Sequence, residues 1–156
     1  MTQLAFQDAY PEDLSHCYGC GKENPLGHQI KSYWQGDQTI AHFTPKPEHT
    51  AIPGFVYGGL IASLIDCHGT GSASAMAFKQ EGRALGSLPA MRFVTANLNI
   101  NYLAPTPIGV ELELVGVIVE AKARKVVVDI TLSAKGVVCA KGQVIAVKMP
   151  ATMGNQ

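Results

Sequence analysis

The spacing of apolar residues changes once along the chain, from a helical period to a period of two. Between residues 58 and 79 apolar side chains recur at helical spacing, and Gly82 follows as a helix stop. At about 100° per residue, Leu64 lies on the apolar face, whereas Asp66 and Thr70 share a small polar face. The sequence therefore predicts one long helix with a single acid two turns from its start.

The second half of this helix, residues 69–77, consists almost entirely of small residues. Each interior glycine costs about 1 kcal/mol relative to alanine. We therefore expect another part of the molecule to approach this half closely, as a wrapped sheet, a partner helix or a ligand would.

From residue 91 onward apolar and polar residues alternate, as they do in half-buried strands. A change of face after Gly116 predicts a β-bulge at that glycine. Upstream, residues 30–44 alternate around Gly36 and Asp37, which predicts two strands joined by a tight turn. The later strands are predicted to form an antiparallel meander over residues 92–102, 110–119, 124–132 and 137–148, with short turns at 121–123 and 135–136.

One long helix against five to six antiparallel strands is an α+β architecture. We expect a single domain at residues 30–150, preceded by an N-terminal arm and a Cys/Gly-rich loop at residues 1–29. The proline-rich segment 45–53 is expected to be a loop that leads into the helix, with His49 at the rim of a pocket.

The composition excludes several classes of partner. The 156 residues include 12 basic and 12 acidic side chains, and charged residues form only 15% of the chain. A neutral protein lacks the field that nucleic acid or an anionic membrane would need. No apolar run reaches the ~18 residues of a membrane span, and the first residues are acidic rather than basic. We therefore expect a cytoplasmic protein without nucleic-acid or membrane partners.

The four cysteines include one spaced motif, Cys17-x-x-Cys20. It offers two of the four ligands of a structural zinc site, and no second C-x-x-C completes the set. A redox motif would follow a strand and begin a helix, whereas neighbouring glycines and Pro25 indicate turns. We therefore expect reduced thiols that shape a compact loop, with no metal and no cofactor.

Gly58 and Gly59 mark the start of the helix, where the first amide N–H groups lack intrahelical acceptors. These groups carry the positive end of the helix dipole and can stabilise developing negative charge. Together with Asp66 they indicate an oxyanion-stabilising amide and a carboxylate.

Three motifs resemble those of the PaaI-type acyl-CoA thioesterases, which have the hotdog fold and belong to the 4-hydroxybenzoyl-CoA thioesterase-like superfamily. P-G-F-V-Y-G-G-L-I-A-S-L-I-D at residues 53–66 is similar to the family's helix-start signature. V-T-A-N-L-N-I-N-Y-L-A-P-T-P-I-G at residues 94–109 resembles its first meander strand, and C-Y-G-C-G-K-E-N-P-L-G resembles an N-terminal loop. The resemblance covers residues 16–148 and implies a hotdog domain, in which an antiparallel sheet wraps a long central helix.

The resemblance implies a catalytic carboxylate at Asp66, a thioester-polarising amide at Gly58 and a water-holding hydroxyl at Thr70. It also implies a homodimer, or a dimer of such dimers, that hydrolyses acyl-CoA. Asp66 of one chain would act as general base or nucleophile on a thioester that the opposing chain polarises. We expect further substrate contacts from Tyr57, Gly59, His49, His68, Arg124 and Lys125, with Lys122 and Arg92 as additional candidates for the CoA phosphates.

The chain departs from the family pattern at two positions. Tyr57 replaces the usual histidine before the glycines, and Ala51 stands where many relatives have an asparagine. These departures favour an alternative, a non-catalytic hotdog protein that binds acyl-CoA or an aromatic ligand. A hydratase is disfavoured, because its acid-base pair would need a histidine at position 71, which is a glycine.

Overall fold

The structure, a computed structural model, describes residues 3–154 and contains one long α-helix and one six-stranded antiparallel sheet. The predicted α+β architecture is therefore confirmed, and residues 1–2 of the predicted N-terminal arm lie outside the described residues. The elements are β1 (Ser32–Gln35), β2 (Gln38–Phe43), α1 (Gly58–Gln80), β3 (Phe93–Tyr102), β4 (Leu112–Lys122), β5 (Lys125–Ala134) and β6 (Val137–Lys148).

Short 3₁₀ turns occupy Gln7–Ala9 and Glu12–Leu14 of the N-terminal arm. The arm packs into the body of the molecule, since Phe6 and Gln7 are fully buried and the Phe6 amide donates to the Ser32 carbonyl oxygen. Within residues 3–154, no helix is both long enough and apolar enough to cross a membrane.

The strand order is β1-β2-β4-β5-β6-β3. The meander prediction is correct for β4 to β6 and wrong for β3, which pairs with β6 instead of β4. Short turns fix β4, β5 and β6 as neighbours, whereas the longer connection over residues 103–111 carries the chain across to pair β4 with β2. Strand β3 therefore lies at one edge of the sheet.

The sheet wraps α1 and forms the core with it. Helix α1 packs against β3, β4, β5 and β6. Leu60, Leu64 and Ile65 are completely buried on its apolar side, and each such side chain contributes about 1.5–3 kcal/mol of hydrophobic stabilisation. A Cβ atom at Gly69 would lie 2.5 Å from the Val144 side chain of β6. The predicted close approach is therefore confirmed, and at Gly69 the approaching part of the molecule is the sheet.

The predicted bulge at Gly116 is wrong. Gly116 pairs in register with Thr39 and Ile130, and the irregularity of β4 lies between Ile118 and Glu120. A Cβ atom at position 116 would overlap the Thr39 hydroxyl and lie 3.1 Å from His68 Nε2. Polar side chains are packed beneath the strand at this point. Glycine is therefore required at position 116 because a side chain would not fit, and not because the strand changes register there.

The two sheet edges differ in length and exposure. Strand β1 has four residues, whereas β3 has ten. Residues 95–99 in the middle of β3 are all exposed, and Leu98 and Tyr102 add large apolar side chains to this surface. A long, exposed, partly apolar edge strand is a template for pairing with another chain.

Candidate active site

The loop before α1 fixes where the helix begins. The Tyr57 amide donates to the His49 carbonyl oxygen at 3.0 Å, and the Val56 amide donates to the Thr106 carbonyl oxygen at 2.8 Å. Tyr57 is the extended N-cap residue, and its side chain makes no capping hydrogen bond. In the described part of the chain, the Gly58 amide N–H donates to no acceptor. This amide is therefore available to a ligand at the positive end of the helix dipole.

The Tyr57 ring lies against Gly59. A Cβ atom at position 59 would approach ring atom Cε2 of Tyr57 to 2.6 Å, so a glycine allows the ring to fold over the first turn. The ring is 38% exposed and lines a cleft of about 490 Å³ together with Tyr18, His28 and His49. The structure thus brings the predicted residues Tyr57, Gly59 and His49 together beside the helix start.

Tyr102 contacts the other side of the helix start. Its hydroxyl donates a hydrogen bond of 2.8 Å to the Gly58 carbonyl oxygen. Gly58, Ile61 and Tyr102 line a second cleft of about 360 Å³, which continues along residues 103–106. The helix start is consequently accessible from two clefts, one on each side.

Asp66 lies two turns farther along α1 and is half-buried. The Thr95 hydroxyl of β3 donates a hydrogen bond to Asp66 Oδ1. Burial raises the pKa of the Asp66 carboxyl, because the charged form is poorly solvated, while the hydrogen bond from Thr95 acts in the opposite direction. A carboxylate with a raised pKa at an exposed strand edge is a better proton acceptor than an ordinary aspartate and is suited to general-base catalysis.

Within one chain the Gly58 amide and the Asp66 carboxylate are separated by eight residues of helix. At 1.5 Å per residue this spacing is about 12 Å along the helix axis. A single thioester carbonyl spans far less than this distance. One chain therefore carries two separate halves of a candidate site.

The two other predicted residues of α1 lie deeper in the structure. Thr70 is buried, and its hydroxyl is 3.3 Å from the Asp66 carbonyl oxygen and 3.4 Å from that of Cys67, to which it can donate. His68 is completely buried, with Nδ1 2.8 Å from Ser32 Oγ and Nε2 3.0 Å from Thr39 Oγ1. Burial lowers the pKa of His68 to about 4. His68 is therefore a neutral core residue of this structure, away from both clefts.

The predicted cations lie at the β4–β5 turn and the start of β3. Lys122 and Lys125 both pair with Glu120, at 3.0 and 3.3 Å, and Arg124 is exposed between them. Arg92 stacks over the Tyr10 ring at 4.5 Å and donates to the Phe93 carbonyl oxygen. Arg92 is thus engaged within the protein, whereas the turn presents its charges to solvent.

The structure also gathers three cysteines next to Asp66. The sulfur atoms of Cys17, Cys20 and Cys67 all lie within 4.8 Å of one another. Hydrogen bonds from the Cys20 and Cys67 thiols lower the pKa of Cys17 to about 2, while the same contact with Cys17 raises the pKa of Cys20 to about 12. The sequence pattern indicates only Cys17 and Cys20 as a pair, because nothing local links Cys67 to a loop 50 residues away.

Thr95 and Tyr102 were also missed as site residues. Strict alternation places residues seven apart on opposite faces of a strand. The register of β3 shifts between Thr95 and Asn97, so both Thr95 and Tyr102 reach α1. The irregularity follows from pairing with β6, which the sequence pattern did not reveal.

Comparisons with known proteins identify the family. The family model of the thioesterase superfamily matches residues 53–141. Acyl-coenzyme A thioesterase THEM4 of Bos taurus is 31% identical over 90 residues, which are 56% of this chain and 31% of that protein. The chain therefore spans about a third of the length of this curated relative.

Solved structures extend the likeness to nearly the whole chain. A thioesterase superfamily protein from Shewanella loihica PV-4 is 62% identical, with 92% of this chain and 99% of that chain covered at a TM-score of 0.71. A thioesterase from Haemophilus influenzae is 15% identical, with 83% and 84% covered at a TM-score of 0.64, and shows the fold alone. The long helix on a six-stranded antiparallel sheet matches the hotdog fold of these neighbours. Since the family model matches more than half of the sequence, the chain belongs to the thioesterase superfamily.

Proposed function

We propose that this chain hydrolyses an acyl-CoA or aryl-CoA thioester to the free acid and CoA. The observation that carries the proposal is the arrangement of two reactive groups along one exposed strand. Thr95 of β3 contacts the Asp66 carboxylate, and Tyr102 of the same strand contacts Gly58, whose amide is free. An oxyanion-stabilising amide and a carboxylate with a raised pKa are the two groups that water attack on a thioester needs.

A homodimer built on β3 would unite these halves. Antiparallel pairing of β3 with its copy, about a twofold axis between Leu98 and Asn99, would align Thr95 of one chain with the Tyr102 end of the other. The Asp66 carboxylate of one chain would then face the helix start of its partner. Such an isologous interface would produce two identical sites and cover the exposed edge.

In the proposed reaction the Gly58 amide donates a hydrogen bond to the thioester carbonyl oxygen. Asp66 of the opposing chain takes a proton from water, whose oxygen attacks the carbonyl carbon. The tetrahedral intermediate then expels CoA as a thiolate, which takes up a proton. Direct attack by the Asp66 carboxylate, followed by hydrolysis of the resulting anhydride, is the second route that the same geometry supports. One oxyanion-hole donor contributes about 10²–10³ in kcat.

The remaining predicted residues have supporting roles. The Thr70 hydroxyl donates its proton to the Asp66 carbonyl oxygen within α1. Its oxygen would therefore accept a hydrogen bond from the attacking water. Tyr57 and His49 would line the substrate cleft beside the helix start. Because Lys125 pairs with Val147 and Phe93 pairs with Lys148, the β4–β5 turn lies at the Phe93 end of β3. In the proposed dimer that end meets the partner's helix start, where Arg124 and Lys125 would bind CoA phosphates.

A panel of acyl-CoA and aryl-CoA thioesters tests the proposal through the release of free CoA thiol. We expect turnover by the wild-type protein and its loss in Asp66→Asn, with the oligomeric state unchanged in light scattering. Asp129→Asn is a matched control, because Asp129 is an exposed carboxylate on β5 that contacts Gln143. Full activity in Asp66→Asn would contradict the assignment.

Tyr57 favours a second candidate function, non-catalytic binding of an acyl-CoA or aromatic ligand. Its ring lies over the turn whose amide would polarise the thioester, and it could stack on an aromatic group there. Acyl-CoA binding measured by calorimetry, with no CoA release across the same panel, would support this function over hydrolysis.

A further inference from the structure

Three cysteine sulfurs from two distant parts of the chain converge beneath the N-terminal loop. All three cysteines are free thiols, and their sulfur atoms lie within 4.8 Å of one another. The Sγ atoms of Cys17 and Cys67 are 3.7 Å apart. A tetrahedral zinc ion with Zn–S bonds of about 2.3 Å separates its sulfur ligands by about 3.8 Å. The Cys17–Cys67 pair therefore already has this spacing, and the third sulfur lies within 4.8 Å of both.

The loop backbone closes tightly around these sulfurs. A Cβ atom at Gly19 would overlap Cys67 Sγ, so the residue that precedes Cys20 has no room for a side chain. The backbone amides of Gly19 and Cys20 lie beside the Cys17 thiol and act to lower its pKa, and the Gly21 amide donates to the Cys17 carbonyl oxygen at 2.7 Å. Amide groups that converge on one sulfur favour its negatively charged form, which is the form that binds metal.

Charge and exposure around the cluster also fit a bound cation. Three thiolates and one Zn²⁺ carry a net charge of −1, and the half-buried Arg92 guanidinium interacts electrostatically with all three sulfurs. Cys20 and Cys67 are buried, whereas Cys17 is partly exposed. In the described residues the group contains no fourth cysteine, histidine or carboxylate. A fourth zinc ligand would therefore come from solvent on the exposed side of Cys17.

We propose that Cys17, Cys20 and Cys67 bind one Zn²⁺ ion per chain as three thiolates. Each thiol loses its proton to solvent as the metal binds. The ion ties the N-terminal loop to α1 at the residue that directly follows Asp66. It thereby fixes the helical turn that carries the Asp66 carboxylate, whatever reaction that carboxylate serves.

The absorption spectrum of bound Co²⁺ depends on its ligands and geometry, so Co²⁺ binding to the wild-type protein tests the site. Reduced, metal-free protein is titrated with Co²⁺ and then with Zn²⁺. We expect one equivalent of Co²⁺ to produce thiolate charge-transfer bands and the intense visible bands of tetrahedral cobalt, and one equivalent of Zn²⁺ to abolish both. A weak octahedral spectrum without thiolate bands would overturn the proposal, and so would a disulfide within the cluster in freshly purified protein.

Variants separate this site from general thiol binding. Cys17→Ser should reduce the thiolate charge-transfer bands and weaken Co²⁺ binding at least tenfold, because it removes one of the three thiolate ligands. Gly19→Ala keeps all four thiols but displaces Cys67, so it should also weaken binding. Cys139→Ser, which removes a buried cysteine outside the cluster, should bind like the wild type. Equal binding by Cys17→Ser and Cys139→Ser would contradict the assignment, and none of these readouts depends on hydrolase activity.

Discussion

The Thr95 hydroxyl donates a hydrogen bond to Asp66 Oδ1, which joins the edge strand β3 to the acid of the central helix. This contact stabilises the ionised carboxylate against the burial that raises its pKa. It also places Asp66 beneath the one long, exposed edge of the sheet. The acid is therefore oriented by the same strand that would contact a second chain.

Removal of the Thr95 hydroxyl should change the pH dependence of catalysis. Thr95→Val keeps the shape of the side chain but removes the hydrogen bond, so the pKa of Asp66 should rise further. The acidic limb of kcat/KM, which reports ionisation of Asp66, should then shift to higher pH. Thr131→Val on β5 is the control and should leave the limb in place. A lower rate with an unchanged acidic limb would mean that the Thr95 hydroxyl does not lower the pKa of Asp66.

His68 should make the folded state sensitive to acid. Its pKa is about 4 in the folded protein, below the ordinary 6.5, so the unfolded state binds the proton more strongly. The free energy of unfolding should therefore fall as pH decreases from about 6.5 towards about 4, by up to about 3 kcal/mol from this group. Urea unfolding across that pH range measures the slope.

A variant without the imidazole isolates this effect. His68→Gln should lower stability at neutral pH, because it disturbs the hydrogen bonds to Ser32 and Thr39, but should flatten the acid dependence. His42→Gln, at an exposed histidine paired with Glu113, should keep the wild-type slope. An equally steep slope in His68→Gln would assign the acid dependence to other groups.

The helix and its acid could be predicted from the sequence because both depend on local spacing. The apolar period of α1 and the glycines at its start place Gly58 and Asp66 without reference to the rest of the chain. The alternation over residues 124–132 likewise predicted a strand that the structure contains as β5. Local pattern was sufficient wherever the structure depends on neighbours in sequence.

The missed features all depend on contacts between distant residues. The position of β3 beside β6 and the register shift after Thr95 follow from strand pairing, which alternation does not encode. Gly116 is explained by the His68 and Thr39 side chains packed beneath it. Cys67 joins Cys17 and Cys20 only after the N-terminal loop folds onto α1.

The exposed edge of β3 should hold two chains together. Leu98→Lys places a charge near the proposed twofold axis, where it would face its own copy across the interface. We expect dissociation to monomers in light scattering, with loss of thioester hydrolysis at protein concentrations where the wild type is dimeric. Val119→Lys on β4, another exposed apolar position, should leave the dimer intact. A dimeric and active Leu98→Lys protein would place the interface elsewhere.

The central claim, that each site combines Gly58 of one chain with Asp66 of the other, can be tested with mixed dimers. Gly58→Pro removes the polarising amide and fits the backbone, since proline is favoured at the first helical position and the preceding Tyr57 is extended, while its Cβ atom would lie 3.3 Å from the Tyr102 hydroxyl. Asp66→Asn removes the acid. Each variant alone should lose thioester hydrolysis.

The decisive measurement is the CoA release rate after the two inactive variants are mixed and their subunits exchanged. After random exchange of equal amounts, half of all dimers are mixed, and one of the two sites in each mixed dimer is intact. A shared site therefore predicts recovery of about a quarter of the wild-type rate. A mixture that stays inactive, although mass spectrometry shows mixed dimers, would contradict a site shared between chains.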